Sequence, residues 1–297
     1  MEKVVQEDKF KYLRISLGLL ITLDILIWVS ILFPVRRLAE KNLELYFLDV
    51  GQGDSSFIRL VGGVDLLIDG GPPNGRLEKN LEKILPIQDR YIDLVMVSHP
   101  QLDHFGGLIE VLKNYKIGAV LTSNQISKQA AWQELEKIIK EKGIRRIILA
   151  AGDKIKYQNS QLDILSPRTS DWAKDINDLS LVALLQYPYI LENVRVLFTG
   201  DISGKKEKEL ADLYDLDVDI LKVSHHGSRF SSDSAFLEEA SPAVSVIEVG
   251  KNSYGHPTSQ ALARLANFSS QVYRTDNDGL VKLLIDGGKL RVYAAKQ

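Results

Sequence analysis

Cysteine is absent from the 297 residues. Disulfides and cysteine-ligated zinc are therefore excluded, and the redox compartment is left open. Any metal must be held by histidine, aspartate or glutamate, with asparagine or glutamine as weak helpers. Histidine is scarce too, at five residues, so the position of each carries information. Net charge is nearly lacking: 37 Lys and Arg stand against 39 Asp and Glu, a formal −2. That balance excludes a surface that is basic throughout, the footprint of a general nucleic-acid binder, while leaving room for a local patch. The chain is 45% hydrophobic and 26% charged, long enough for one large core or two small ones.

Long apolar runs are lacking save one, Ile15 to Val35, reading ISLGLLITLDILIWVSILFPV. It is just long enough to span a hydrocarbon core of ~30 Å. Its single charge, Asp24, costs about 2.5–3.5 kcal/mol near the centre of a span. Trp28 and the flanking Arg14, Arg36 and Arg37 suit a membrane boundary. A cleaved signal peptide competes with this reading, but no small-x-small cleavage site follows the run. A helix packed on the domain is the bland alternative. The expectation is a tail over 1–14, a single-pass transmembrane anchor over 15–35 and one domain over 43–297. Lys3, Lys9, Lys11 and Arg14 precede the run, and Arg36, Arg37 and Lys41 follow it. The positive-inside rule leans toward an extracytoplasmic domain.

From Leu43 the pattern changes to short β-branched runs between glycine-rich turns: LELYFLDV, SSFIRLV, VDLLID. These read as consecutive strands. Arg76 to Ile84 and Gln129 to Lys142 read as helices, and FGGLIEVLKNY starts another. IDLVMVS is a buried strand ending at His99. SLVALLQYP and VRVLFTG form a hairpin ending at Asp201, and DILKVS is a strand ending at His225. Helices and strands mix without strict alternation, which indicates one α/β domain.

Chemistry concentrates at strand ends. SHPQLDHFGG sets His99, Asp103 and His104 in one turn, where two imidazoles and a carboxylate suit zinc or manganese. Alone, these residues are equally well read as helix caps, with Asp103 favouring the helix dipole. Asp201 in LFTGD, taken alone, is better read as a cap. His225 and His226 in KVSHHGS and His256 in YGHP complete the set. All five histidines thus fall in strand-end loops rather than inside apolar runs, which favours a shared pocket.

Taken in order, LDVGQGDSSFI, LLIDGG, SHPQLDHFGG, NDLSLV, LFTGD, LKVSHHGS, YGHP and VYRTDNDG cover nearly all of Leu43 to Ala295. In this series the chain resembles the metallo-β-lactamase-like domain of the ComEC DNA-uptake proteins. The resemblance implies an αββα metallo-β-lactamase sandwich with a metal site at one edge between two sheets. It implies His99, Asp103, His104 and Asp201 as ligands, with Asp201 bridging. It implies a late ligand from HHGS, with His225 favoured and His226 facing substrate or ligating instead. Asp69 is implied as a support for the ligand loop, and His256 as a substrate contact. Gln101 stands where a further histidine or aspartate is usual, and Asn177 where another histidine is found. Amide oxygens are weak ligands, so the expectation is one firm divalent site, Zn or Mn, and a second weak or absent one.

The implied reaction is hydrolysis of DNA phosphodiester bonds through a metal-activated water. Asp103 is expected to steer a proton, His226 or His256 to donate one to the leaving oxygen, and Ser228 to hydrogen-bond a phosphate. No multi-helix channel is evident in these residues, so a separate channel protein is an expected partner. The competing class is a non-catalytic module with a degenerate metal site that binds nucleic acid or an envelope partner. Lys205, Lys206 and Lys208 are read as a solvated helix face rather than a DNA groove.

Overall fold

The computed structural model describes residues 18–24, 27, 42–189, 192–268, 271–286 and 289–296. Met1–Leu38 and Ala39–Gln297 are separate compact units. In the first, residues 18–24 are helical. The expected tail 1–14 and most of the expected span 15–35 lie outside the described residues. Among the described residues, no helix is long and apolar enough to cross a membrane.

The second unit carries two sheets. Strands β1 (Leu43–Phe47), β2 (Ser56–Arg59), β3 (Asp65–Ile68), β4 (Tyr91–Val97), β5 (Lys116–Thr122) and β6 (Arg145–Ile148) come first. Strands β7 (Lys154–Tyr157), β8 (Ser160–Ser166), β9 (Val182–Tyr189), β10 (Glu192–Phe198) and β11 (Ile220–Lys222) follow. Then come β12 (Val244–Ile247), β13 (Gln271–Arg274), β14 (Val281–Asp286) and β15 (Lys289–Ala294). One sheet has the order β15-β14-β1-β2-β3-β4-β5-β6, the other β13-β12-β11-β10-β9-β8-β7.

Alternation of side chains along the strands builds the layers. In β1, Leu43, Leu45 and Phe47 face the core between the sheets, while Tyr46 faces the opposite way. In β10, Val196 and Phe198 enter that central core and Leu197 the outer one. Helices α1 (Arg76–Ile84), α2 (Leu102–Phe105), α3 (Leu108–Asn114) and α4 (Ala130–Glu141) accompany the first sheet. Leu77, Leu81, Leu108, Trp132 and Leu135 pack there beside Val95 and Val120. Helices α5 (Gly204–Leu213), α6 (Ser234–Ala240) and α7 (Ser259–Asn267) cover the other sheet through Leu210, Phe236, Leu237 and Leu265. The result is a helix–sheet–sheet–helix sandwich.

Strand direction gathers the loops. β3, β4 and β5 are parallel neighbours, as are β10, β11 and β12. Their C-terminal ends carry Asp69, His99, Asp201, His225, His226 and Glu248, the side of a parallel sheet where ligand sites form.

Candidate metal centre

Five buried side chains form the centre. The turn after β4 brings in His99 and His104, the turn after β10 brings Asp201, and the turn after β11 brings His226. Asp69, at the end of β3, sits beneath them. Donor atoms of His99, His104 and Asp201 lie within 4.8 Å of one another, and so do those of Asp103, His104 and His226. His104 Nε2 is 3.3 Å from Asp201 Oδ2, and His226 Nε2 is 3.5 Å from the same oxygen.

Each ring is turned by a partner behind it. His104 Nδ1 donates to Asp69 Oδ2 at 2.9 Å. Asp69 is itself fixed by the Ser98 amide at 2.7 Å and the Ser98 hydroxyl at 2.6 Å. His226 Nδ1 donates to the Glu248 carbonyl at 2.9 Å. Those bonds aim both Nε2 atoms into the centre. The Nε2 atoms of His99, His104 and His226 and Asp201 Oδ1 are buried there without a hydrogen-bond partner. An unmade buried bond costs about 1–3 kcal/mol, so four of them in one place fit a divalent cation. Asp69 and the Glu248 carbonyl are the kind of outer partners that fix ligand orientation.

A second layer of charge lies behind this one. Lys222, 3% exposed, pairs with Asp54 and donates to the Gly200 carbonyl at 3.1 Å. Its Nζ is 3.9 Å from Asp201 Oδ1. Asp54 Oδ1 is 3.1 Å from His226 Nδ1. The Glu248 carboxylate accepts from the Ser55 amide at 3.1 Å and from the Ser56 hydroxyl. Asp54, Lys222 and Glu248 were not singled out in the sequence. Their signal was a charge embedded in an apolar run, in DILKVS and SVIEVG, and an acid following the glycine turn of LDVGQGD. Gly53 is required beside Asp54: its φ is +145°, and a Cβ would lie 2.2 Å from the Asp103 carbonyl.

The paired histidines, between which the late ligand was left open with His225 favoured, take different positions. His225, expected as the ligand, stands at the rim with its side chain 32% exposed and Nε2 4.0 Å from Asp201. His226 takes the inner position. Its Nδ1 is bonded to the Glu248 carbonyl and its Nε2 is turned into the cluster, which favours a ligand position over contact with a leaving group. The cause is backbone: His225 and His226 adopt φ values of 49° and 52°, followed by Gly227 at 77°. This left-handed run ends the alternation of β11 and turns successive side chains to different sides. Left-handed non-glycine residues are strained and need surrounding contacts to hold them. Thr258 supplies some, donating its amide to the Gly227 carbonyl at 2.9 Å. A Cβ on Gly227 would lie 2.6 Å from Pro257. Gly227→Ala is therefore expected to destabilise the fold by about 1–3 kcal/mol, read by urea unfolding. A midpoint unchanged from the parent would contradict this account of the loop.

Other expected residues divide. Asp103 is half-exposed at the mouth, its Oδ2 3.6 Å from His226 Nε2. Gln101 and Asn177 come together and hydrogen-bond to each other. His256 stays outside the cluster, its ring 5.6 Å from that of His225. Ser228 does not offer its hydroxyl to the centre: it is buried and accepts from the Phe230 amide at 3.3 Å. Lys206, read as part of a solvated face, is buried and pairs with Asp171 and Glu209 at 3.0 Å each. Lys205 and Lys208 are exposed.

Protons compete with metal here. Burial alone would lower the pKa of His226, but the Asp201 and Asp54 carboxylates push it up to about 10. Burial likewise opposes the charge on His104, but Asp201 and Asp69 carry it well above the usual histidine range. His99 is pushed down to about 3 by burial and by the charge on His104. Burial raises Asp103, but His226 and His104 outweigh it and hold it at about 2. A cation must therefore displace protons from His104 and His226, and neither His99 nor Asp103 has one to lose near neutrality. Metal affinity is expected to rise with pH, about tenfold per unit for each proton displaced, between about pH 6 and pH 8. Zinc titrations across that range check it; an affinity flat with pH would contradict it.

The fold and this centre can be set beside known proteins. Residues 48–250 match the Metallo-beta-lactamase superfamily, and the chain belongs to it. The chain is thus built on a metal-dependent hydrolase fold that implies a divalent cation. Among curated proteins it is similar to ComE operon protein 3 of Bacillus subtilis, 26% identical over 89% of this chain and 36% of that protein. It is also similar to Recombination protein 2 of Haemophilus influenzae, 27% identical over 99% of this chain and 34% of that protein. Competence protein ComA of Neisseria gonorrhoeae is 26% identical over 86% of this chain and 35% of that protein. The chain spans about a third of the length of these relatives. The ComEC-type resemblance drawn from the motifs stands with them. Two solved structures share the fold. Igni18, a metallo hydrolase from Ignicoccus hospitalis, has a TM-score of 0.52 at 15% identity, covering 85% of this chain and 100% of that one. YhfI from Bacillus subtilis has a TM-score of 0.53 at 12% identity, covering 81% and 99%.

Proposed function

We propose that this chain is a metal-dependent phosphodiesterase acting on nucleic acid, with DNA as its substrate. The observation that carries the hydrolytic reading is the convergence of four buried, unpartnered donor atoms from His99, His104, His226 and Asp201. Asp103, His104, His226 and Asp201 would hold the firm cation, zinc or manganese. His99 and Asp201, helped only by Gln101 and Asn177, make the weaker place. When bound, a divalent cation lowers the pKa of water and neutralises charge on phosphoryl oxygens.

The chain's own residues do the rest. Asp69 and the Glu248 carbonyl orient His104 and His226. Asp103 stays ionised at the mouth, where it can accept a hydrogen bond and so orient an attacking water. Burial and the neighbouring imidazoles lower the pKa of His256, so it is neutral near pH 7 and able to hydrogen-bond the leaving side of a phosphodiester. The competence protein among the relatives supports DNA as the substrate class. The apolar run 15–35 and its flanking charges support attachment of an extracytoplasmic domain to a membrane.

The test is elemental analysis of the purified full chain with cleavage assays on single-stranded DNA and bis-p-nitrophenyl phosphate. The parent is expected to carry metal and cleave with added Mn or Zn. His104→Ala and Asp201→Asn are expected to lose both properties. Equal cleavage by all three would place the activity elsewhere. A parent without metal or cleavage would favour the non-catalytic binding module.

A further inference from the structure

Beyond the metal centre, a series of aromatic rings leads from its edge to the surface. The ring centroids of His226 and His225 are 6.2 Å apart, those of His225 and His256 5.6 Å, and those of His256 and Tyr254 5.8 Å. Exposure rises along it. His226 is buried, His225 and His256 are partly covered, and Tyr254 is 74% exposed. The outermost pair is tilted by only 32°, so Tyr254 and His256 present roughly parallel faces.

Tyr254 is exposed although its loop is fixed. Asn252 Oδ1 accepts from the amides of Tyr254 and His256, both at 3.0 Å. Asn252 Nδ2 donates to the carbonyls of Gly250 at 2.9 Å and His256 at 2.7 Å. The same loop is tied to HHGS through Thr258 and Gly227. A large ring held in water by a braced loop, and joined through neighbouring rings to the centre, is placed to meet a flat ligand. Stacking on aromatic rings is worth about 1–3 kcal/mol per base and tolerates any base, because every base has a π-face.

We infer that Tyr254, with His256 behind it, forms a stacking subsite for the nucleobase next to the scissile phosphate of a single strand. The inference rests on the phosphodiesterase reading above. A base paired and stacked in a duplex cannot reach such a platform without being unstacked, so the subsite selects single strands. Tyr254 positions substrate here and takes no part in bond cleavage.

The experiment compares a short oligothymidylate with an abasic phosphodiester oligomer of the same length, using the manganese-loaded full chain. The parent is expected to cleave the thymidylate with a kcat/KM about tenfold above that for the abasic oligomer. Tyr254→Ala is expected to lose that preference through a lower kcat/KM on thymidylate, and Tyr254→Phe to keep it. Equal cleavage of both oligomers by the parent overturns the subsite while leaving the phosphodiesterase reading intact. A full preference surviving in Tyr254→Ala also overturns it. Cleavage of neither oligomer by the parent ends the phosphodiesterase reading, and the subsite with it.

Discussion

His226→Ala is expected to lower both metal affinity and cleavage by more than about a hundredfold, while His225→Ala stays within about tenfold of the parent. Loss of an outer partner of a metal ligand commonly costs 10–100-fold, so loss of a ligand should exceed it. The two histidines are chemically identical neighbours and differ only in where the backbone sends them. His226 is buried, with Nδ1 held by the Glu248 carbonyl and Nε2 3.5 Å from Asp201. His225 is a third exposed, and its Nε2 is 4.0 Å from that carboxylate. Metal titration and bis-p-nitrophenyl phosphate cleavage on both variants check the assignment. A larger loss in His225→Ala would reverse it.

Lys222→Met is expected to destabilise the metal-free protein by about 3–5 kcal/mol, the penalty for leaving a buried partner charge uncompensated. Lys222 pairs with Asp54 and stands 3.9 Å from Asp201 in this buried layer. Burial disfavours its charge, but Asp54, Asp201 and Glu248 outweigh that and raise its pKa. The paired change Lys222→Met with Asp54→Asn should recover part of the loss, because the stranded carboxylate goes with it. Urea unfolding of the metal-free single and paired variants measures both. A loss under about 1 kcal/mol in the metal-free protein would show that water reaches this layer and screens it.

The gathering of the histidines was legible because they stand at strand ends, while Asp201, better read alone as a cap, joined them only through the family resemblance. His99, Asp103, His104 and Asp201 follow apolar runs that end in turns, and parallel strands carry such ends to one edge. The α/β class followed from the same runs, and the sandwich from the resemblance that the ordered motif series carries. Strand alternation could not choose between His225 and His226, because both lie in the left-handed conformation and break the period of two. Ser228 shows what a sequence cannot place: a serine beside glycine resembles a phosphate contact, and the loop turns its buried hydroxyl to accept from the Phe230 amide. Lys206 was read from helix exposure alone, without Asp171, which arrives from a distant loop. Asp54, Lys222 and Glu248 are separated by long stretches of chain, so their pairing exists only after folding. Helix α7 was missed, although Thr258 caps it and Ala261 and Leu265 mark its buried face at a spacing of four.

The account rests on His104, His226 and Asp201 sharing a cation, and zinc titration of the full chain by calorimetry tests that most directly. The expected result is tight binding of about one equivalent, with protons released on binding, and its loss in Asp201→Asn. A parent that takes up no metal, or an Asp201→Asn variant that binds as tightly as the parent, would contradict it.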